Sequence, residues 1–540
     1  MTGPPHAPRR SGSGRSIGWA AVVAAVIASV AVWTMNRSHR LPGTHSDGVE
    51  YVTAAEAMAA GGRPEIPVTH WSDPDSTTVL SHYPPGFPAL LAIPLALGAS
   101  PPTAVTAVLA VGAGLAVAMT VLLAAGIGGL HAGVVAGALV MATPAFAILH
   151  LAVWSEAAYL GIALLGLWTI IRHPDRPGVH GALMAVGLGI RYVGIAGVAT
   201  AVVFAWVRGR ALVDRIRAAL WAGAPGLVGL VAWRWWVRSG GEVIRSPDVY
   251  AGAGTQLRDV VLLLVQWLAP IHLTRLVSPA VVLFVVFMGA VAVMVGAWPR
   301  ETDIPAGTEG RAAAAGDGST AAGQGRGTTT PEGSLHGRWT LPPGRARRVF
   351  LVFAVAYAGV VLLSRAFLDP LIPFDPRLFL PLLLLATVTF GVTLAGRSRR
   401  IGAPWAVALH GLVAIWAVAG LLDIRETVQV SAEEGRFYTH RAWESDPAAV
   451  AAYTSRAPHV YSNEAAMVVH YGRRPAKTLP RSYEDLNAFA RAWRDRPGPI
   501  LFKLPRNPVD PPMDRFLELL PVREARRTEH AVLLLPVPGG

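Results

Sequence analysis

The chain contains no cysteine, which excludes disulfides, thiolate nucleophiles and Cys-ligated metal sites and leaves cysteine usage silent about the compartment. Charge is scarce, at 15% of 540 residues, too little for an ordinary soluble globular chain. Lysine is nearly missing. Lys477 and Lys503 are the only two, so the formal net charge of +13 rests on arginine. In a soluble protein that balance points to nucleic acid or anionic lipid. Here the arginines gather in short clusters between apolar runs, which is the pattern of membrane topology, and no nucleic-acid partner is expected. Against these shortages stands a hydrophobic content of 52%. Most of that apolar surface has to face lipid. The Ala, Gly, Arg and Val bias is that of a GC-rich bacterial genome.

Residues 1–16 read as a cytoplasmic tail, with Arg9, Arg10 and Arg15 ahead of the apolar run Ile17 to Met35. That run approaches the roughly 20 residues a span needs and lacks a small-x-small cleavage site, so it reads as a retained helix. The segment 36–100 then lies outside. Further spans are expected at Pro102 to Leu123, Ala132 to Leu149 and Val153 to Ile171. The stretch Val179 to Val207 carries Arg191 and Tyr192 midway and has basic loops on both sides. It therefore reads as two short helices meeting at an external Arg191. Ile216 to Val237 exits to an external loop, Val260 to His272 reads as interfacial, and Ser278 to Trp298 returns inside.

Residues 299–347 are rich in Gly, Ala, Thr and Arg and have almost no large aliphatic side chains. Such a composition cannot bury a core, and a disordered cytoplasmic linker is expected. Phe350 to Leu363, Leu378 to Leu394 and Ala403 to Leu422 complete the spans. The expected architecture is an α-helical polytopic membrane protein of about eleven transmembrane helices. It has a first block at 17–298, a second at 348–422 and a small extracytoplasmic α/β domain at 423–540. In that domain His459 to Tyr461, Ile500 to Phe502 and Ala531 to Val537 read as strands. Asp446 to Ser455, capped by Asp446, and Ser482 to Arg494 read as helices.

Three features differ from plain lipid-facing helix. In Thr44-His45-Ser46-Asp47-Gly48-Val49-Glu50-Tyr51, Asp47 lies just before a helical stretch. An acidic residue there serves as an N-cap, and Glu50 fits a capping-box variant. A carboxylate fixed in that way is also a well-oriented general base. The second feature is Ser81-His82-Tyr83-Pro84-Pro85-Gly86-Phe87-Pro88, a proline-stiffened turn before the short apolar run Ala89 to Leu97, expected along the outer interface. The third is a set of ionisable residues at the outer ends of spans: Glu156, Arg191, Arg365, Asp369, Asp375 and Arg377. Charges at that depth are costly unless they face a polar cavity or a partner.

Together, Asp47, the His82-Tyr83-Pro84-Pro85 turn, Ser155-Glu156, Arg191-Tyr192 and Phe374-Asp375-Pro376-Arg377-Leu378-Phe379-Leu380-Pro381 resemble the GT-C superfamily. Within it, the chain is similar to bacterial relatives of protein O-mannosyltransferases and aminoarabinose transferases. The resemblance runs from Ile17 to Leu422, and Tyr461-Ser462-Asn463 with Tyr471-Gly472-Arg473-Arg474-Pro475 resembles the external tail of some members.

The resemblance implies a multi-pass protein of the bacterial cytoplasmic membrane, with its N-terminus inside and C-terminal domain outside. It also implies transfer from a polyprenyl-phosphate sugar to a hydroxyl of an unspecified glycan, lipid or protein acceptor on the outer face. Asp47 is then the base, with Glu50 the neighbouring carboxylate. Arg377, Arg191 and Arg365 are candidates for the donor phosphate, with His82, Tyr83, Glu156, Tyr192 and Asp375 lining the cavity. Many relatives carry two adjacent acidic residues where this chain has Asp47-Gly48, which leaves a divalent metal open; His45, His70 and His82 show no trusted ligand spacing, and no metal ligand is assigned. A transporter, a lipid flippase or a scaffold subunit would also keep charges in a membrane cavity. The large external loop, the lack of repeats and the external domain argue for the enzyme.

Overall fold

The structure is a computed structural model that describes residues 13–239, 340–367, 376–480, 485–504 and 511–538. The external loop and interfacial helix expected after Val237, the span Ser278 to Trp298, most of the linker, Asp369 and Asp375 lie outside the described residues, as does the Arg365 side chain.

The first helix, α1 (Ser13–Met35), is followed by α2 (Ser46–Ala59), α3 (Gly86–Ala96) and α4 (Pro101–Gly128). Pro101 and Pro102 start α4 where a missing N–H costs nothing, and Gly129, at φ 89°, ends it. Next come α5 (Leu130–Met141) and α6 (Pro144–His150), bent 61° from one another. The sequence reads Ala132 to Leu149 as one span, but Pro144 cannot donate the bond that would continue α5, so the helix breaks and restarts there. α7 (Glu156–Arg172) leads to α8 (Pro177–Ile190) and α9 (Ile195–Arg208). Between the last two, Arg191 is extended (φ −147°, ψ 138°) and Tyr192–Gly194 form a 3-10 turn. Two short helices therefore meet at Arg191, as expected. The bundle continues with α10 (Leu212–Ser239), α11 (Pro343–Phe367), α12 (Pro376–Ser398) and α13 (Ala403–Glu434).

α11 begins inside the stretch read as linker. Proline suits its first turn, and that end is anchored by Leu341 N–H on the Gly126 carbonyl (2.7 Å) and by Arg345 on the Ile171 carbonyl (2.9 Å). Likewise α13 runs past the boundary drawn at Asp423 as far as Glu434.

Six described helices are long and apolar enough to cross a membrane, or seven if α5 and α6 form one bent span. The expected count of eleven draws further on α7, α8 and α9, and on segments outside the described residues. α4 and α12 are central, with 67% and 78% of their apolar windows buried, whereas α10 and α13 bury only 11% each. Trp221 and Leu220 on α10 and Trp405 and Leu412 on α13 face outward, as lipid-facing side chains do. α1 lies close against α4 because the contact is built from small residues. A Cβ on Gly114 would stand 2.3 Å from Ser29 Oγ, and Ser29 Oγ donates to the Ala110 carbonyl at 2.9 Å.

Beyond the bundle, the loop between α1 and α4 contributes β1 (Glu65–Ile66), β2 (Val68–Thr69) and β3 (Thr78–Val79). The C-terminal part contributes α14 (Arg441–Ser445), α15 (Pro447–Tyr453), β4 (Tyr461–Ser462), α16 (Ala465–Gly472), β5 (Ala476–Thr478), α17 (Leu486–Asp495), β6 (Ile500–Lys503), α18 (Met513–Leu519), β7 (Val522–Arg527) and β8 (Ala531–Pro536). Asp446 caps α15 as expected, accepting from Ala448 and Ala449 N–H at 2.9 Å. The six-stranded sheet has the order β2-β5-β4-β6-β8-β7, so its first edge belongs to the loop between α1 and α4. Lys477 on β5 is buried and reaches into that loop, donating to the Asp73 and Asp75 carbonyls (2.7 and 3.1 Å). Val49 of α2 is buried in the same core as Tyr438, Trp443 and Val468. The loop and the C-terminal part therefore share one core.

Candidate active site

α2 stands with its first turn against one end of the bundle, where α7 and α12 begin. His45 is its N-cap, accepting the Asp47 N–H on Nδ1 at 3.2 Å. This corrects the reading of Asp47 as the cap and removes the capping box with Glu50, because the imidazole already serves the free N–H of the first turn. The Asp47 carboxylate is thereby released to face the site. It accepts from Ser46 Oγ at 3.1 Å and stands 3.6 Å from His45 Nδ1. Burial alone would raise its pKa. The His45 and Tyr83 side chains and the Arg377 charge outweigh burial and hold the group well below the usual carboxylate range.

One turn along, Tyr51 shares the face of Asp47. Its ring packs 5.0 Å from both Tyr83 and Phe87, so the His82-Tyr83-Pro84-Pro85 turn docks on α2. Burial and the Asp47 charge push both phenols up, and they remain O–H donors at neutral pH. Tyr51 Oη lies 3.4 Å from Ser155 Oγ. Ser155 precedes α7 but makes no side-chain cap; its hydroxyl accepts instead from Arg191 at 3.4 Å.

Arg191 forms an ion pair with the buried Glu156, and Arg377 Nε reaches the same Oε1 at 3.9 Å. One buried carboxylate thus meets two guanidiniums. The Arg377 guanidinium also lies over the Trp154 ring at 4.7 Å. That ring is 5.6 Å from both His45 and Phe437. At the start of α12, Tyr357 donates to the Leu378 carbonyl at 2.6 Å, fixing the helix end that bears Arg377.

The structure therefore brings Asp47, Tyr83, Glu156, Arg191 and Arg377 into one network, from segments hundreds of residues apart. Glu50 follows on α2, where its charge acts on Tyr83 and Tyr438. Tyr192 supports the rim, accepting from Trp233 Nε1 at 3.1 Å and donating to the Ser81 carbonyl at 3.5 Å. His82 is exposed and pairs with Ser81 Oγ at 3.1 Å. Arg365 and Asp375 fall outside what is described.

Two members went unnoticed in the sequence. Tyr51 had a signal, being one helical turn from Asp47. Phe437 had none, because it follows the last span and reaches the site only through the bridge between Thr44 and Phe437. His45, His70 and His82 have separate partners, and among the described residues no group of three or more His, Asp or Glu is placed to hold a metal. A cavity of about 440 Å³ lies along the other face of α2, lined by Val49, Glu56, Pro101, His470 and Arg473 but by none of Asp47, Tyr51 or Tyr83.

No family model matches the sequence, and no curated protein matches it. Solved structures do. ArnT from Cupriavidus metallidurans bound to undecaprenyl phosphate superposes with a TM-score of 0.55 at 16% identity, over 97% of this chain and 98% of that one. Its apo state gives 0.54 at 16% identity, over 96% and 97%. The arabinofuranosyltransferase AftD from Mycobacteria gives 0.51 at 14% identity, over 96% of this chain and 41% of AftD. The chain has the GT-C fold. In this fold the network around Asp47 sits where the loop between α1 and α4 meets the helix ends, beside a sheet to which that same loop contributes β2.

Proposed function

We propose that the protein is a membrane glycosyltransferase that moves a sugar from a polyprenyl-phosphate donor to an acceptor hydroxyl on the outer face of the cytoplasmic membrane. The observation that carries this reading is the convergence of Asp47, Glu156, Arg191 and Arg377 at the membrane end of the external loop. A donor with an isoprenoid tail stays in the bilayer, so its phosphosugar head has to be met by a polar cavity at the interface. The relative bound to undecaprenyl phosphate supports the same donor class. The N-terminus is then inside and the C-terminal module outside.

In the proposed reaction the acceptor oxygen bonds to the anomeric carbon as the bond to the phosphate oxygen breaks. The hydroxyl proton passes to an Asp47 oxygen, and the electron pair leaves on the polyprenyl phosphate. A single displacement inverts the configuration. Arg377, whose Nε stands 3.9 Å from Glu156 Oε1, offers planar N–H donors to the developing phosphate charge, while Arg191 is held by the closer pair. A carboxylate held far below its usual pKa is a weak base. It suits a transition state with oxocarbenium character, where the attacking oxygen is little bonded and its proton leaves late.

The test is single-turnover transfer from a radiolabelled polyprenyl-phosphate sugar in nanodiscs. Asp47→Asn should insert and remain stable yet lose about a hundredfold or more in rate, the scale of general base catalysis. Glu50→Gln should stay close to wild type. Two active variants would sink the mechanism, and a dead Glu50→Gln beside an active Asp47→Asn would move the base to Glu50.

A further inference from the structure

The turn that follows α13 carries a cation that the reaction above does not use. Arg436 is half-buried and lies over the Phe437 ring at 5.8 Å. Among the described residues it has no carboxylate partner, and burial alone pulls its pKa down. Arg191 and Arg377, by contrast, share Glu156. A partly desolvated guanidinium without a counter-charge is costly, which favours an anion beside it.

Two further groups point the same way. The cap uses His45 Nδ1 to accept the Asp47 N–H, which leaves Nε2 as the ring nitrogen placed to donate. That atom is buried without a hydrogen-bond partner, and so is Trp154 Nε1. Both rings stand against Phe437, at 5.5 and 5.6 Å. Three donors short of an acceptor therefore surround one aromatic ring. That ring is itself 41% exposed, which leaves it room to turn.

The turn is held in place. Tyr438 N–H donates to the Thr44 carbonyl at 2.8 Å, Thr439 Oγ1 donates to the Arg40 carbonyl at 2.7 Å, and Arg436 N–H donates to Thr439 Oγ1 at 3.1 Å. Gly435 is required at its start: it has φ 78°, and a Cβ there would fall 1.9 Å from the Thr439 carbonyl oxygen.

We propose that Arg436, with His45 Nε2–H and Trp154 Nε1–H, forms a second phosphate-binding position around Phe437, which takes the oxygens of the polyprenyl phosphate that Arg377 leaves unmet. This rests on the donor class proposed above. The chemistry recognised is a lipid phosphate, and it has two sources, the polyprenyl phosphate and the headgroups of the surrounding bilayer.

The test measures binding of undecaprenyl phosphate and of undecaprenol to the full chain in nanodiscs of zwitterionic lipid, and again with anionic lipid added. Arg436→Gln should weaken undecaprenyl phosphate binding about tenfold or more, the scale of a lost charge-assisted hydrogen bond. Undecaprenol binding should be unchanged, and Arg436→Lys should lie between. Phe437→Ala, which opens the ring without removing a donor, should retain the preference for the phosphate. Normal binding by Arg436→Gln beside weakened binding by Arg377→Gln would overturn the proposal and leave the donor reading standing. An Arg436 effect seen only with anionic lipid would assign the residue to bulk headgroups and overturn it as well. A wild-type chain that does not distinguish undecaprenyl phosphate from undecaprenol would overturn the donor reading itself.

Discussion

At the scale of single residues, Asp47 and Arg377 carry separable parts of the proposed chemistry. Lysine keeps the charge of Arg377 but not its planar fork, nor its stacking on Trp154. Arg377→Lys should lower kcat/KM for the donor by about tenfold and Arg377→Ala by more. Normal turnover by the alanine variant would move the phosphate contact elsewhere. Asp47 also makes a prediction about pH. Its folded pKa is depressed, since the His45, Tyr83 and Arg377 contributions outweigh burial. The stability it contributes is present above about pH 4, the unfolded carboxylate value, and is lost as pH falls through the lower folded value. Across the working range the base is already ionised. The acid side of the kcat/KM profile should therefore show no limb from Asp47 down to about pH 4. A limb near neutral pH that disappears in Asp47→Asn would contradict this. The sequence pointed to Asp47 but misjudged what surrounds it, because His45 takes the capping role and frees the carboxylate.

Among the elements, the decisive one is β2, only two residues long and without a recognisable strand pattern. It pairs in parallel with β5, and Lys477 on β5 anchors the loop through the Asp73 and Asp75 carbonyls. Lys477→Met should leave these carbonyls without their donor and lower stability by about 1–3 kcal/mol. Thermal unfolding in detergent is the measurement, and an unchanged midpoint would show that the ammonium is dispensable. The paired short helices α8 and α9 were legible, since an arginine between basic loops cannot rest in the middle of one span. The break between α5 and α6 was also open to reading, because Pro144 marks it.

For the whole molecule, the arginine clusters and the odd span count expected from the sequence predict that the linker and the C-terminus lie on opposite faces. Tags at Gly316 and at the C-terminus should accordingly be accessible from opposite sides of the membrane. Accessibility of both from one side would overturn the map. The structure adds that the C-terminal module is one body with the first loop, since β2 and Val49 are built into its sheet and core. The position of α2, and with it Asp47, is thus set from both sides of the interface, by the bundle below and the module above.

The sequence by itself determined the membrane character, the order of the described spans, the broken helix at Arg191 and most of the charged residues that meet at the helix ends around Asp47. These follow from local properties: apolar run length, the cost of charge in lipid, and proline. Tertiary structure alone decided that Glu156 serves two arginines, that His45 rather than Asp47 caps α2, and that Phe437 and Arg436 return from the far side of α13 to the same site. Apart from the cap, these contacts join residues tens to hundreds of positions apart, and hydrophobic periodicity carries no record of which polar groups meet when the helices pack.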